Sequence, residues 1–427
     1  MPELPGQADV VIAGAGLAGL AAARVLTGAG LEVVLIDPAD APGGRVRTDR
    51  RDGLLLDRGF QLLNPAYPEA RRMLDLGRLD LRSFAPGLVV ASGSGRSVLA
   101  DPLRRPGALL GDLRAPFGSA AEKLALARWA ARIGYGPAQR IKERPDSALG
   151  AELTRLGISG ELRRRVIEPF LAGVLAESGL STSRRLGELL VRAFVRGRPA
   201  LPAGGMQAIP DQLAARLPTG VLHLNTALLS AGAGIAHTDA GTVRAPALVI
   251  ACDPVTACRL AGLPQPAMRA LTTFYHRSQE PPSPLGLLHL DGDAAGPLVN
   301  TAVLSNVAPT YAASGSLIVS TILGADDSAA MEATVRAQAA RVYGADPRGW
   351  TYVGSYPIAG ALPAMPPPLR LRKPVALGDG VYVCGDHRDT ASIQGALVSG
   401  RRTALAVLAD LRAPQPGTAP PGRPAAG

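Results

Sequence analysis

The run Gly14-Ala15-Gly16-Leu17-Ala18-Gly19 constrains this chain more than any other feature. It stands between a buried strand predicted at Asp9 to Ala13 and a helix predicted over Leu17 to Ala29, which Gly28 and Gly30 end. A second strand is predicted at Glu32 to Ile36, stopped by Asp37-Pro38. The result is a βαβ unit with glycines at its first turn. Gly14 permits the tight turn, Gly16 lets backbone approach a pyrophosphate, and Gly19 lets the helix pack on the strand. The helix N-terminus offers unpaired amides and a positive dipole end to phosphates, with Ala15, Leu17 and Ala18 lining the same turn. Asp37 stands where a carboxylate would accept hydrogen bonds from ribose hydroxyls.

At 427 residues the chain exceeds one typical core, so two intertwined domains are expected. Aromatic residues make up 4%, too few for a base-stacking surface, and the arginines behind the net charge of +10 are dispersed. Nucleic acid is therefore excluded as a partner, whereas an anionic cofactor or a membrane surface would suit the charge. Cys252, Cys258 and Cys384 follow no metal spacing and cannot pair evenly, which points to a reducing compartment. Val10 to Ala23 lacks a positive flank before it, so it reads as neither signal peptide nor membrane span. The expected location is cytoplasmic, with peripheral contact on the inner membrane face left open.

Further along, Ser119-Ala120-Ala121-Glu122 predicts a capping box opening a helix with Leu126, Trp129 and Ile133 on one face. Pro202 to Pro210 punctuates the chain before a helix predicted at Asp211 to Arg216. Buried strands are predicted at Ala247 to Ala251 and Gly380 to Cys384, and a last helix from Ser392. Residues 413–427 read as a Pro/Gly-rich disordered tail.

The βαβ unit alone does not separate one dinucleotide from another. Two more segments bear on that choice. Pro42-Gly43-Gly44-Arg45 with Thr48, then Asp57-Arg58-Gly59, resembles the GGR segment of the flavin-containing amine oxidase superfamily, which also holds phytoene desaturases and protoporphyrinogen oxidases. Val381 to Ala404 looks like that superfamily's closing motif. The resemblance implies an α/β fold: a discontinuous, glutathione-reductase-type FAD domain (1–80, 200–255 and 375–412) with an inserted α+β substrate domain (81–199 and 256–374). It implies FAD as cofactor, with Gly43, Gly44 and Arg45 at the diphosphate, Gly385 and Asp386 at the ribityl chain, and Ser392 and Ile393 opening a helix aimed at the pyrimidine edge. By the same resemblance Gly59, Phe60 and Gln61 lie near the isoalloxazine, and Ala227, in a strand containing Asn225 and Thr226, contacts adenine.

His387, Arg388 and Gln61 are the candidates for a direct chemical role; Cys384 reads as a packed thiol, and His223 and His289 as strand residues. No second GxGxxG is present, so electrons would leave to oxygen or a quinone. Amine oxidases of this superfamily often use a lysine in their second half. Here no lysine falls between Lys142 and Lys373, which tilts the expectation toward the desaturase-like branch. An apolar isoprenoid or carotenoid-like substrate, dehydrogenated or isomerised, is the leading reading. Amine oxidation and flavin binding without turnover remain the alternatives.

Overall fold

The computed structural model describes residues 4–93, 95–100, 117–232 and 234–412. The predicted tail, 413–427, lies outside the described residues.

One sheet has six strands in the spatial order Ala376–Gly378, Val381–Val383, Ala247–Ile250, Val10–Ala13, Val33–Ile36 and Leu222–His223. All neighbours run parallel except the first pair. Val10–Ala13 is a continuous apolar run because it is covered on both faces. Helix Leu17–Gly28 covers one face and packs against the long C-terminal helix Ile393–Arg412. Gly400 makes that contact possible, since a Cβ there would stand 2.0 Å from the Ala18 carbonyl oxygen. The two ends of the chain are thereby fixed to each other.

A second sheet has seven strands in the order Thr351–Pro363, Met268–Ser278, Ser316–Leu323, Leu298–Val303, Leu288–Asp291, Gly87–Ser92 and Gly95–Ala100. It is antiparallel except where Leu288–Asp291 meets Gly87–Ser92. Side chains alternate between its faces. Phe274, Ser320 and Thr301 are cross-strand partners, and Thr301 bonds the hydroxyl of Tyr343 in helix Ala329–Tyr343, which marks the outer face. Thr273, Thr321 and Asn300 form the adjacent row and point the other way, toward Phe60.

Three local expectations are corrected. Ser119 does cap its helix, accepting from the Glu122 amide. The buried Glu122 carboxylate does not return the bond; it receives the amides of Gly160, Leu162 and Arg163 instead. Three amides satisfy a buried charge better than one. The helix expected at Asp211 spans Ala208–Ala214, because Pro210 is tolerated in a first turn. Asn225, Thr226 and Ala227 lie in the connection between strands, with Asn225 at φ +52°, not within a strand.

Candidate functional site

The three glycines of the first turn have different neighbours. Gly14 has φ +113°, and a Cβ there would stand 2.6 Å from the Ala251 backbone. A Cβ at Gly19 would stand 1.9 Å from the Gly14 carbonyl oxygen. Both glycines are therefore required by the protein's own packing. Gly16 is not: its φ is −68°, open to any residue, and a Cβ would meet nothing within 4 Å. It faces open space at the start of helix Leu17–Gly28, where the amides of Leu17 and Ala18 have no acceptor inside the helix. Ala15 is buried beside it.

Asp37 fixes this turn from the second strand. One carboxylate oxygen accepts the Ala15 amide at 2.6 Å, and the other accepts that of Ala39 at 2.9 Å. The second glycine pair docks on the first, with the Gly43 amide donating to the Ala15 carbonyl at 2.8 Å. A Cβ on Gly44 would stand 3.4 Å from the Gly16 Cα. The Ala227 amide is engaged by Asp239 Oδ1 at 2.9 Å, and the Ala227 carbonyl accepts the Asp239 amide. The backbone expected to meet adenine thus already has protein partners.

Arg45 joins the two chain ends. Its Nη2 donates to Asp386 Oδ1 at 2.7 Å, and its Nη1 donates to the Ala361 carbonyl at 2.8 Å. Burial works against its charge, but Asp386 and, secondarily, Asp253 hold its pKa above the usual arginine value. Gln61 Nε2 donates to the Arg45 and Arg58 carbonyls, so its amide nitrogen braces the loop. The Phe60 amide donates to Thr273 Oγ1 at 3.1 Å, and a Cβ on Gly59 would stand 2.8 Å from Ile358 Cδ1. Ser392 caps the last helix by accepting the Gly395 amide at 3.0 Å, and Ile393 is that helix's first residue.

His387 and Arg388, singled out as chemical candidates, are both buried and line a different space. That cavity, of about 310 Å³, is also bounded by Cys258, Lys373 and the stretches around Pro266 and Pro366. None of Gly14 to Gly19, Gly43 to Arg45 or Gly59 to Gln61 lines it. Cys384 is fully buried, and burial pushes its thiol far up.

Asp57 stood in a segment quoted from sequence but was given no role, and the pair Asn300 and Thr321 was missed. Asp57 is buried and accepts from Thr48 Oγ1, the Met206 amide and Tyr311 Oη. Burial raises its pKa to about 6 despite those bonds. Asn300 and Thr321 are cross-strand partners, each with a buried side-chain oxygen that has no hydrogen-bond partner. Only tertiary pairing brings them together, so no local signal could have found them. Among the described residues no group of His, Cys, Asp and Glu could hold a metal ion.

An adenine dinucleotide fits this geometry. The open space before Gly16, the free amides at a helix start and a second glycine turn 3.4 Å away form a backbone cradle that the protein itself leaves unfilled. Comparison with known proteins agrees. The model of the flavin containing amine oxidoreductase family matches residues 17–408, and the chain belongs to that family of FAD-dependent oxidoreductases. FAD is its cofactor. The chain is 28% identical over 306 residues to putrescine oxidase of Kocuria rosea, covering 64% of this chain and 62% of that protein. It is 31% identical over 234 residues to phytoene dehydrogenase of Streptomyces griseus, covering 48% and 45%. The matches thus span less than two thirds of either relative's length. The fold is shared with an oxidoreductase from Methanosarcina mazei at a TM-score of 0.72 and 15% identity, covering 94% of this chain and 99% of that one. It is the α/β fold with a Rossmann-like FAD-binding domain.

Proposed function

We propose that this chain is an FAD-dependent dehydrogenase that removes hydrogen from a C–H bond of a largely apolar, isoprenoid-like substrate. The observation that carries this reading is the wall beside Gly59 and Phe60. It is built from Leu271, Ile358 and Thr273, and continues across the sheet to Thr321 and Asn300. None of the five is charged, so this wall offers an ammonium no counter-ion, while Leu271 and Ile358 beside Gly59 offer a carbon skeleton an apolar contact.

Bound FAD supplies a hydride acceptor at its ring N5. The parallel-sheet half, residues 1–80, 200–255 and 375–412, would hold it: Gly16, Leu17 and Ala18 would face the diphosphate, Arg45 would add a cation, and Asp386 would take the ribityl hydroxyls. Asp37 meets the adenosine ribose. Helix Ile393–Arg412 would offer its N-terminal amides to the ring edge, where they would stabilise negative charge. Residues 81–199 and 256–374 hold the substrate, and Leu271 and Ile358 exclude water from the reacting carbon. The substrate loses a hydride and a proton and gains a double bond. Its electrons leave to oxygen or a quinone. An apolar substrate would enter from a membrane surface by peripheral contact; among the described residues no helix is long and apolar enough to cross a membrane.

The test is anaerobic mixing of the FAD-loaded protein with phytoene in detergent micelles and, separately, with putrescine. Loss of the visible flavin absorbance with phytoene and not with putrescine is the expected result. Bleaching by putrescine alone would assign amine oxidation. No bleaching by either would remove the isoprenoid reading.

A further inference from the structure

The cavity beside His387 is chemically unlike the flavin cradle. Its lining carries two cations, Lys373 and Arg388, and an imidazole, with no carboxylate. The nearby carboxylates are already committed: Asp386 to Arg45 at 2.7 Å, Asp389 to Arg402 at 3.4 Å, and Asp253 to the Val255 and Thr256 amides. Arg388 is held in place through Nε, which donates to the Pro374 carbonyl at 3.1 Å. The Lys373 amide donates to the Arg388 carbonyl at 3.0 Å, and Arg402 Nη2 donates to the Lys373 carbonyl at 2.9 Å. These bonds fix the Arg388 guanidinium and the main chain of Lys373, and the lining adds no carboxylate to offset the two charges.

His387 is 2% exposed, and neither of its ring nitrogens has a hydrogen-bond partner. A buried imidazole without partners forfeits hydrogen bonds it would make in water, and native interiors rarely leave such a group unmatched. The rest of the lining is mostly apolar: Pro264, Pro266, Ala267, Ala364 and Pro366, with the Cys258 thiol and one polar residue, Gln265. At about 310 Å³ the space admits a small organic molecule.

We infer that this cavity is a second ligand site, distinct from the flavin cradle, for a small carboxylic acid whose carboxylate meets Lys373, Arg388 and His387 and whose short apolar body lies on the prolines. The arrangement follows the usual division of such sites, with a few convergent polar groups fixing orientation on an apolar wall. A carboxylate is the favoured head group because Lys373, Arg388 and His387 line the same space, with Gln265 the one further polar residue among prolines and alanines. The empty site leaves His387 neutral: burial lowers its pKa to about 4, Asp386 opposes this, and Arg388, Lys373 and Arg45 add to it. A bound carboxylate would raise that value.

The test uses the FAD-loaded protein with hexanoate as probe, followed by calorimetry and by NMR of the His387 ring, which His387→Gln assigns among five histidines. Saturable hexanoate binding is expected, with the His387 titration midpoint rising by about one unit or more. Lys373→Met should weaken binding about tenfold or more while leaving flavin content unchanged, and hexanol should not bind. Three results would each overturn the site. One is no hexanoate binding to the loaded protein; another is binding to the FAD-free protein only, which would make the cavity part of the flavin's own site. The third is equal binding by inorganic phosphate, which would remove the role of the apolar wall.

Discussion

The two sheets of this protein present different chemistry to the ligands proposed for them. The parallel sheet presents backbone: amides at the start of helix Leu17–Gly28 and glycines that keep side chains out of the way. The antiparallel sheet presents side chains, in the row Thr273, Thr321 and Asn300. A backbone site needs glycine at fixed spacings, so it tolerates little variation and can be read in one dimension. A side-chain site on a wide sheet can be rebuilt one residue at a time, so no fixed spacing announces it in the sequence.

The largest expected effect separates the glycines required by packing from the one proposed to face the cofactor. Gly19→Ala drives a methyl to within 1.9 Å of the Gly14 carbonyl, backbone against backbone, with nothing flexible to yield. It should cost more than about 4 kcal/mol and leave little folded protein by circular dichroism. Gly16→Ala meets no protein atom within 4 Å and needs no unusual φ. It should fold with a melting temperature close to the parent's while losing at least about tenfold in FAD affinity, roughly 1.4 kcal/mol. If Gly16→Ala keeps full flavin, the open space before that residue is not where the diphosphate lies.

Next come two buried carboxylates, Asp386 and Asp57. Arg45→Ala leaves Asp386, whose side chain is 4% exposed, without its guanidinium, and should cost about 3 kcal/mol as well as bound flavin. Asp386→Asn should recover much of that stability in the Arg45→Ala background, measured by denaturant unfolding. Asp57 behaves differently, because burial raises its pKa to about 6. A carboxyl that binds its proton more tightly when folded stabilises the fold below the unfolded pKa of about 4, and that stability is lost as pH rises through 6. The loss is on the order of 3 kcal/mol. Asp57→Asn should flatten the melting temperature between pH 4 and 7; an unchanged pH profile would mean Asp57 is charged throughout.

What the sequence made legible follows from the same contrast. Gly14 to Gly19, Asp37, Gly43 to Arg45 and the strands around them are local patterns, and their elements form within a residue or two of expectation. The meeting of Arg45 with Asp386 was not local, but each stood in a recognisable segment at its own end of the chain. Ala227 shows the limit, since its amide is bound by Asp239, twelve residues on, a pairing set by the turn between two short strands. His387 was noticed for its chemistry and its neighbours. That it faces Lys373 and the proline stretches depended on how residues 264–267 and 364–373 cross, which periodicity does not encode. Asn300 and Thr321 were invisible because a polar residue in a strand usually faces water.

That last pair yields the smallest and most discriminating effect. Thr321→Val replaces a buried hydroxyl that has no partner with a methyl of similar size. Ordinarily, removing a buried hydroxyl costs stability because it breaks a hydrogen bond. Here there is none to break, so the variant should be as stable as the parent or more stable by about 1 kcal/mol. If the oxygen instead serves a polar group on the substrate, catalysis pays for that gain: KM should rise several-fold with little change in kcat, since the contact would be made equally in ground and transition states. A variant that melts several degrees lower would mean the hydroxyl is satisfied within the fold, and the antiparallel half would then have to recognise its substrate by shape alone.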